Sequence, residues 1–246
     1  MALTRRTLLA LLGVGLAPVS ATAQLDELLK QLPQLPGGTI PEGGGLGAVK
    51  IGQALKQALQ VGTENAVTLT GKTDGYFKNQ AIKILMPEKL KTLERGLRAV
   101  GYERQVDDLV LKMNRAAERA APAAKKIFWD AIGAMTIDDG RKILNGPETA
   151  ATDYFKGKTA SQLTAAFSPV VHRTMGEVGV TRQYQGLFGR AQSIPFLDVE
   201  AFDLDHYVVG KALDGLFHVV GDEEKKIRTN PSARVTDLLR EVFGQR

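Results

Sequence analysis

The 246-residue sequence contains no cysteine and only three histidines. Without cysteine there is no disulfide and no thiolate ligand, so a packed core has to stabilise the chain. His172, His206 and His218 lack the four-residue helical spacing that a zinc site would use. We therefore predict that the protein binds neither a metal ion nor a cofactor.

The sequence also lacks the common catalytic and nucleotide-binding motifs. No serine lies in a G-x-S-x-G turn. Residues 47–52 resemble a phosphate-binding loop, but Gln53 and Ala54 stand where that motif needs Lys and then Ser or Thr. Without Arg5 and Arg6, the two charged residues among the first 23, the net charge falls from +5 to +3, which is too small an excess to favour nucleic acid as a partner. Catalytic groups can still meet only in the fold, so these absences leave an enzyme open.

The first 23 residues have the pattern of a secretory signal peptide. Arg5 and Arg6 precede an apolar run over residues 8–17, and residues 21–23 (ATA) form a small-x-small cleavage site. The apolar run is about half the roughly 20 residues that a membrane span needs. We predict cleavage after Ala23, a periplasmic location and no transmembrane segment in the mature chain. The adjacent arginines also fit a twin-arginine signal, so both export routes stay open.

Proline and glycine are concentrated between the predicted signal peptide and the rest of the chain. Residues 31–47 (QLPQLPGGTIPEGGGLG) have the composition of a flexible linker. After them, apolar residues recur with helical spacing and almost never alternate as in a strand. The sequence therefore predicts an all-α fold, a single compact multi-helix domain at 46–246, after a signal peptide at 1–23 and a linker at 24–45.

Several of the predicted helices can be placed. Apolar stripes predict helices over residues 46–69, 105–121 and 204–228. The buried face of the first is expected to contain Ile51, Ala54, Leu55, Ala58 and Leu59. The last has the broadest stripe, as expected of a central helix. Residues 70–79 form a turn-rich loop, with the turn at Asp74-Gly75. Pro87 is expected at the first position of the next helix.

Capping residues mark other helix ends. Thr136 and Thr159 each begin a pattern typical of a capping box, and Asn230 followed by Pro predicts another helix start. Four acids lie within residues 198–205, where oxygen ligands could hold Ca²⁺. We favour capping of the last long helix by Asp203 or its neighbour Asp205.

Two strips of polar residues border apolar helix faces. On the helix over residues 105–121, Asp107, Asn114 and Glu118 lie within about 40°. The second strip, on the last long helix, comprises Tyr207, Lys211, Asp214 and His218. Such groups either satisfy neighbours at the edge of the core, which we favour, or line a cleft between helices.

Long, ordered phrases of the sequence resemble the bacterial family catalogued as domain of unknown function 4197, over about residues 46–244. The phrases are DGYFKNQAIKI, MNRAAERAAPAAKKIF, AATDYFKGKT, KALDGLF and EEKKIRTNPSARVTDLLREVFG. The resemblance implies an exported helical protein and supplies no catalytic residue. Eight polar residues inside these phrases are our candidate ligand-binding residues: Asp74, Tyr76, Asn79, Asn114, Glu118, Lys211, Asp214 and Arg228. Glu224 and Arg228 also have the spacing of an ordinary i,i+4 surface pair.

We expect a non-catalytic periplasmic module that either binds a ligand or partner or has a structural role. Its partner would be an envelope protein or a small molecule. One alternative is a hydrolase-type enzyme with acids and amides assembled in a helical cleft. Another is a lipid- or envelope-binding protein. A polar cleft with facing acids would favour the enzyme, an apolar tunnel would favour a lipid-binding protein, and a flat apolar patch would favour binding to a protein partner.

Overall fold

Helices form where apolar residues recur every three or four positions, because this spacing places them on one face. The computed structural model describes residues 45–177, 186, 189 and 202–229, with the backbone alone for residues 45–50. The predicted signal peptide, most of the linker, the acids Asp198 and Glu200, and the Asn230 cap lie outside the described residues.

The described residues form seven α-helices and contain no strand. The α-helices are α1 (Gly45–Gly71), α2 (Lys91–Ala99), α3 (Glu103–Ala120), α4 (Ala124–Gly133), α5 (Ile137–Asn145), α6 (Ala150–Glu177) and α7 (Leu204–Thr229). Two short 3₁₀ turns, Glu88–Leu90 and Ala121–Ala123, lead into α2 and α4. The all-α prediction is therefore confirmed.

Helix α7 lies at the centre of the described fold, packed against α6, α1 and α3. Its predicted apolar stripe is wholly buried: Val208, Val209, Ala212, Leu213, Leu216, Val219, Val220 and Ile227. Beside it, the ring of Phe128 on α4 meets Phe155 of α6 and Phe217 of α7 edge to face, with centroids 5.3 and 6.1 Å apart. The breadth of the apolar stripe correctly predicted a helix covered on several sides.

Local signals explain several helix ends. Gly101 has a φ of 88° and its N–H donates to the Arg98 carbonyl, while the Tyr102 N–H donates to Leu97, the two bonds of a Schellman motif. Thr136 and Asp139 form the predicted capping box at the start of α5. The Asp203 carboxylate accepts a hydrogen bond from the His206 N–H at 2.9 Å, so the predicted cap of α7 is also confirmed.

Three local predictions are wrong. Thr159 does not begin a helix: it lies inside α6, where its hydroxyl donates to the Phe155 carbonyl one turn earlier. Pro87 precedes a 3₁₀ turn, and α2 begins only at Lys91. Ile51, expected on the buried face of α1, is 39% exposed. Thr inside a helix can bond the carbonyl one turn earlier, so a capping pattern does not by itself mark a helix start.

None of the helices in the described part of the chain is apolar over enough of its length to cross a bilayer.

Candidate functional site

Residues 72–86 form an irregular segment that carries three of the candidate residues; we call it the pinned loop. Its predicted turn is confirmed, with Asp74 at a φ of 67°. At the next position, a Cβ on Gly75 would lie 2.3 Å from the Leu69 carbonyl oxygen, so only glycine fits there. This close approach folds the loop back against the end of α1.

The buried carboxylate of Glu118 on α3 holds the start of the pinned loop. Its Oε1 accepts hydrogen bonds from the backbone N–H groups of Tyr76 and Phe77, both at 3.1 Å. Its Oε2 accepts one from Arg115 Nη1 at 2.6 Å. Only 3% of the residue is exposed, and these three donors compensate the buried charge.

Arg115 links Glu118 to the turn of the loop. Its Nη2 donates to Asp74 Oδ1 at 2.6 Å, and Lys78 pairs with Asp74 Oδ2 at 2.7 Å. These hydrogen bonds, first that of Lys78 and then that of Arg115, hold the pKa of the Asp74 carboxyl below its ordinary value. Asp74 is therefore ionised at neutral pH, with a cation on each oxygen.

Asn114, also on α3, holds the second half of the pinned loop. Its Oδ1 accepts from the Ile84 N–H at 2.9 Å, and its Nδ2 donates to the carbonyls of Ile84 and Val110 at 2.8 Å. The side chain has no exposed surface. The Asn114 amide thus bonds both the N–H and the carbonyl of Ile84, as the backbone of a neighbouring β-strand would. Both N–H groups of Nδ2 donate a hydrogen bond.

Tyr76 fastens the loop to the central helix. Its ring is fully buried against Gly215, where an added Cβ would lie 2.6 Å from Tyr76 Cε1. The hydroxyl donates to the Ala212 carbonyl at 2.6 Å. Burial raises the pKa of this hydroxyl far above its ordinary value, so it stays protonated and remains a donor.

A cleft of about 460 Å³ lies between the pinned loop and α7; we call it the lysine cleft. Two candidates, Asp74 and Asn79, line it. The loop also contributes Lys72, Gly75, Lys78 and Gln80; the end of α1 contributes Leu69 and Thr70, and α7 contributes Val219, Asp222 and Lys226. The lining mixes polar and apolar side chains and carries charges of both signs.

A second cleft, of about 360 Å³, lies on the other part of the pinned loop and is called the Phe77 groove here. Its walls are Phe77, Lys83, Leu85, Met86, Lys91, Glu94, Arg98, Asp107 and Val110. The Lys83 ammonium lies 4.3 Å from the centre of the Phe77 ring. Arg98 pairs with both Glu94 and Asp107, so much of the groove's charge is already neutralised.

Asp107, Lys211 and Asp214 pair with side chains outside this loop, whereas Tyr207 of the second polar strip donates its hydroxyl to the Leu85 carbonyl of the loop at 3.0 Å. Asp107 shares a helix with Asn114 and Glu118, but its side chain is 67% exposed and pairs with Arg98. Lys211 and Asp214 form an exposed pair on α7 at 3.5 Å. Asp74, Tyr76, Asn114 and Glu118 form one connected set, with Asn79 at its edge.

Arg228 belongs to a different buried network, built on Glu224. The Glu224 carboxylate accepts from the backbone N–H groups of Ala151 and Thr152 and from the Thr152 hydroxyl, at 2.8 to 3.0 Å. Arg228 donates to Glu224 Oε1 and to the Ile143 carbonyl at 2.8 Å. The prediction of an ordinary surface pair is wrong, because this carboxylate is buried and bonds the N-terminus of α6.

The sequence missed Lys72, Asp222 and Lys226 as lining residues. Asp222 and Lys226 are one turn apart on α7, which is visible in the sequence, but only the fold shows that this face meets residues 72–80. Within the described ranges, no group of three metal-binding side chains converges. The side chains that line the lysine cleft can form hydrogen bonds and ion pairs with a ligand.

Comparison with known protein families gives a match over most of the chain. The model of the family described as "Protein of unknown function (DUF4197)" matches residues 45–244, which confirms the resemblance inferred from the sequence phrases. Comparisons with curated proteins and with solved structures give no significant match.

Proposed function

The chain belongs to the DUF4197 family, and from that premise we propose that it is an exported, non-catalytic binding module of the periplasm. Its ligand is a small polar molecule held in the lysine cleft. The observation that carries this proposal is the pinned loop. This irregular segment contributes residues to two clefts, and two buried polar side chains, Glu118 and Asn114, bond its backbone on the side that faces the core.

Fixing a loop in this way favours binding. A ligand that meets a preformed loop does not have to order it, so less conformational entropy is lost on association. Glu118 and Asn114 together bond the backbone of Tyr76, Phe77 and Ile84, and each of their polar side-chain atoms has a partner within the protein. The outward side chains of the same loop, including Lys72, Lys78 and Asn79, remain at the cleft surface. The supporting residues and the presenting residues are therefore different.

The hydrolase alternative has one observation in its favour: the carboxylates of Asp74 and Asp222 line the same cleft. General acid–base catalysis needs a carboxyl that can gain and lose a proton near neutral pH. The pKa of Asp74 is lowered, and each of its oxygens is bonded to a cation. This arrangement suits an anchor for the loop better than a proton carrier, so we place binding ahead of catalysis.

The test has two parts. Osmotic-shock fractionation should release the protein with the periplasmic contents. The dialysed protein is then incubated with a small-molecule extract of the periplasm and weighed by native mass spectrometry. We expect a bound adduct in the wild type and its loss in the double variant Lys78→Gln/Asn79→Ala.

Asp130→Asn is the matched control, since Asp130 lies on α4 and its exposed side chain pairs only with Lys126 in the described structure. It should retain the adduct. An unmodified wild-type mass would argue against a small ligand. An adduct that survives undiminished in the double variant would place the ligand elsewhere than the lysine cleft.

A further inference from the structure

Some charged side chains of the lysine cleft are paired with oppositely charged neighbours, and others are not. Asp74 is neutralised by Lys78 and Arg115, as described above. Lys226 pairs with Glu223 at 2.6 Å, and Glu223 also accepts a hydrogen bond from Asn65. These groups already satisfy one another and add little preference for the sign of a ligand.

Two charges of the cleft are left over. Within the described residues, the exposed Lys72 ammonium has no ion-pair or hydrogen-bond partner. The one ion contact of Asp222 in that part of the chain is with His218 at 3.7 Å, which exceeds hydrogen-bond length. Lys72 and Asp222 do not pair with each other, although both line the same cleft.

The two charges stand on different walls. Lys72 lies on the pinned loop and Asp222 on α7, so a ligand that meets both must span the cleft. Two side-chain amides of the loop, Asn79 and Gln80, also line the cleft, and Leu69 and Val219 supply apolar surface. Amides and small apolar surfaces complement the backbone and side chains of a peptide.

A ligand of one sign fits this lining poorly. A simple anion would pair with Lys72 but would also meet the Asp222 carboxylate. A simple cation would pair with Asp222 but would meet the unpaired ammonium group of Lys72. A ligand that carries one carboxylate and one ammonium can satisfy both unused charges at once.

Resting on the proposed function, we propose that the lysine cleft binds a short peptide with free ends, whose carboxylate pairs with Lys72 and whose ammonium pairs with Asp222. The volume of about 460 Å³ falls within the 300–1,000 Å³ typical of small-ligand sites. Three residues extend over about 10 Å, so a tripeptide is long enough to hold its two charged ends apart.

The experiment compares three probes on the full-length exported protein: trialanine, N-acetyl-trialanine and trialanine amide. Each is titrated calorimetrically at about pH 7, where the free termini are charged. We expect trialanine to bind and each blocked probe to bind about tenfold more weakly, since each loses one charge-assisted hydrogen bond. Binding of trialanine should weaken as salt rises.

Two variants assign the ends of the peptide. Lys72→Gln should weaken trialanine about tenfold and leave trialanine amide almost unchanged; Asp222→Asn should do the same with N-acetyl-trialanine as the unaffected probe. Lys89→Gln and Asp130→Asn are matched controls, because both residues are exposed and neither lines the cleft. Circular dichroism confirms that each variant is folded.

Equal binding of N-acetyl-trialanine and trialanine would overturn the proposal, because it would mean that an anion is enough. Absence of trialanine binding would overturn it as well. If in that case the adduct from the periplasmic extract still depends on Lys78 and Asn79, only the ligand class falls and the proposed function stands. If that adduct is also missing, both fall.

Discussion

Glu118 and Glu224 are buried carboxylates that do the same work in two different places. Each accepts hydrogen bonds from two successive backbone N–H groups of a distant segment, and each pairs with an arginine one turn away on its own helix. Glu224 bonds the first turn of α6, where its charge also faces the positive end of the helix. Glu118 bonds an irregular loop, whose own backbone hydrogen bonds are those of short turns between residues 72 and 83.

The difference indicates what each carboxylate stabilises. Beyond its first turn, α6 has its own hydrogen bonds and buried side chains, so Glu224 contributes mainly to the global stability of the fold. The pinned loop depends on Glu118, Asn114 and Tyr76 for its shape, so Glu118 contributes mainly to local order at the clefts. The predictions below separate these two roles, from the largest expected effect to the smallest.

Glu224→Ala should have the largest effect. It leaves Arg228 without its buried carboxylate and the N–H groups of Ala151 and Thr152 without an acceptor, and the free energy of unfolding should fall by about 3–5 kcal/mol. Urea denaturation followed by circular dichroism measures the loss. Glu148→Gln, an exposed glutamate at the same corner, is the control and should change stability by less than about 1 kcal/mol. A loss no larger for Glu224→Ala would mean that water or Arg228 replaces the cap.

Glu118→Gln should lower the free energy of unfolding by about 1–3 kcal/mol, because an amide cannot both pair with Arg115 and accept from two N–H groups as a carboxylate does. Hydrogen exchange should show the loss first at Tyr76 and Phe77, with the amides of α6 still protected. Asp108→Asn, which removes an exposed carboxylate from the same helix, should leave exchange in the loop unchanged. Uniformly faster exchange across the fold would erase the contrast with Glu224.

Asn114→Ala tests the same region at its other end. Ile84 would lose both of its bonds to the side chain, and stability should fall by about 1–3 kcal/mol, with faster exchange at Ile84. Marked destabilisation with ligand binding intact would assign Asn114 and Glu118 a purely structural role. Unchanged stability with lost binding would instead make them part of the ligand site.

Gly215→Ala approaches the pinned loop from the side opposite Glu118. The new methyl group would lie 2.6 Å from the Tyr76 ring, and the forced shift should cost about 1–3 kcal/mol. Gly210→Ala in the same helix meets no atom within 4 Å, so it should stabilise by about 0.5–1 kcal/mol through helix propensity. Thermal denaturation compares the two. If both variants were stabilised, the tight seat of Tyr76 against α7 would be refuted.

Asp74→Asn should give the smallest effect, since Arg115 keeps Glu118 as a partner. The pKa of Asp74 is lowered in the folded protein, so its ionised form contributes stability above about pH 4, and the contribution is lost as pH falls further. The difference in denaturation midpoint between wild type and variant should therefore be constant near neutral pH and shrink below pH 4. Asn also tolerates the positive φ at this position, which keeps the turn intact. A difference that grows on acidification would contradict this assignment.

The sequence by itself determined the local structure. The helical period depends on neighbours three and four residues apart, so it correctly placed α3 and α7 and their buried stripes. Turn and capping residues act over equally short distances, and they correctly placed the Asp74-Gly75 turn and the caps at Thr136 and Asp203. The family phrases placed Asn114, Glu118 and Tyr76 among the candidates. They could not say that these side chains support the loop from behind, because that depends on where their partners lie.

Only the tertiary structure decided which polar groups meet. Glu224 looked like a surface residue because its spacing to Arg228 is that of a local pair, yet its backbone partners are more than 70 positions away in the sequence. The lysine cleft is similarly lined by residues from two distant parts of the chain, 69–80 and 219–226. No period in the sequence encodes such distances. A buried carboxylate and an exposed one can have the same local pattern, and only the packing of α7 against α6 and the loop removes the buried carboxylate from water.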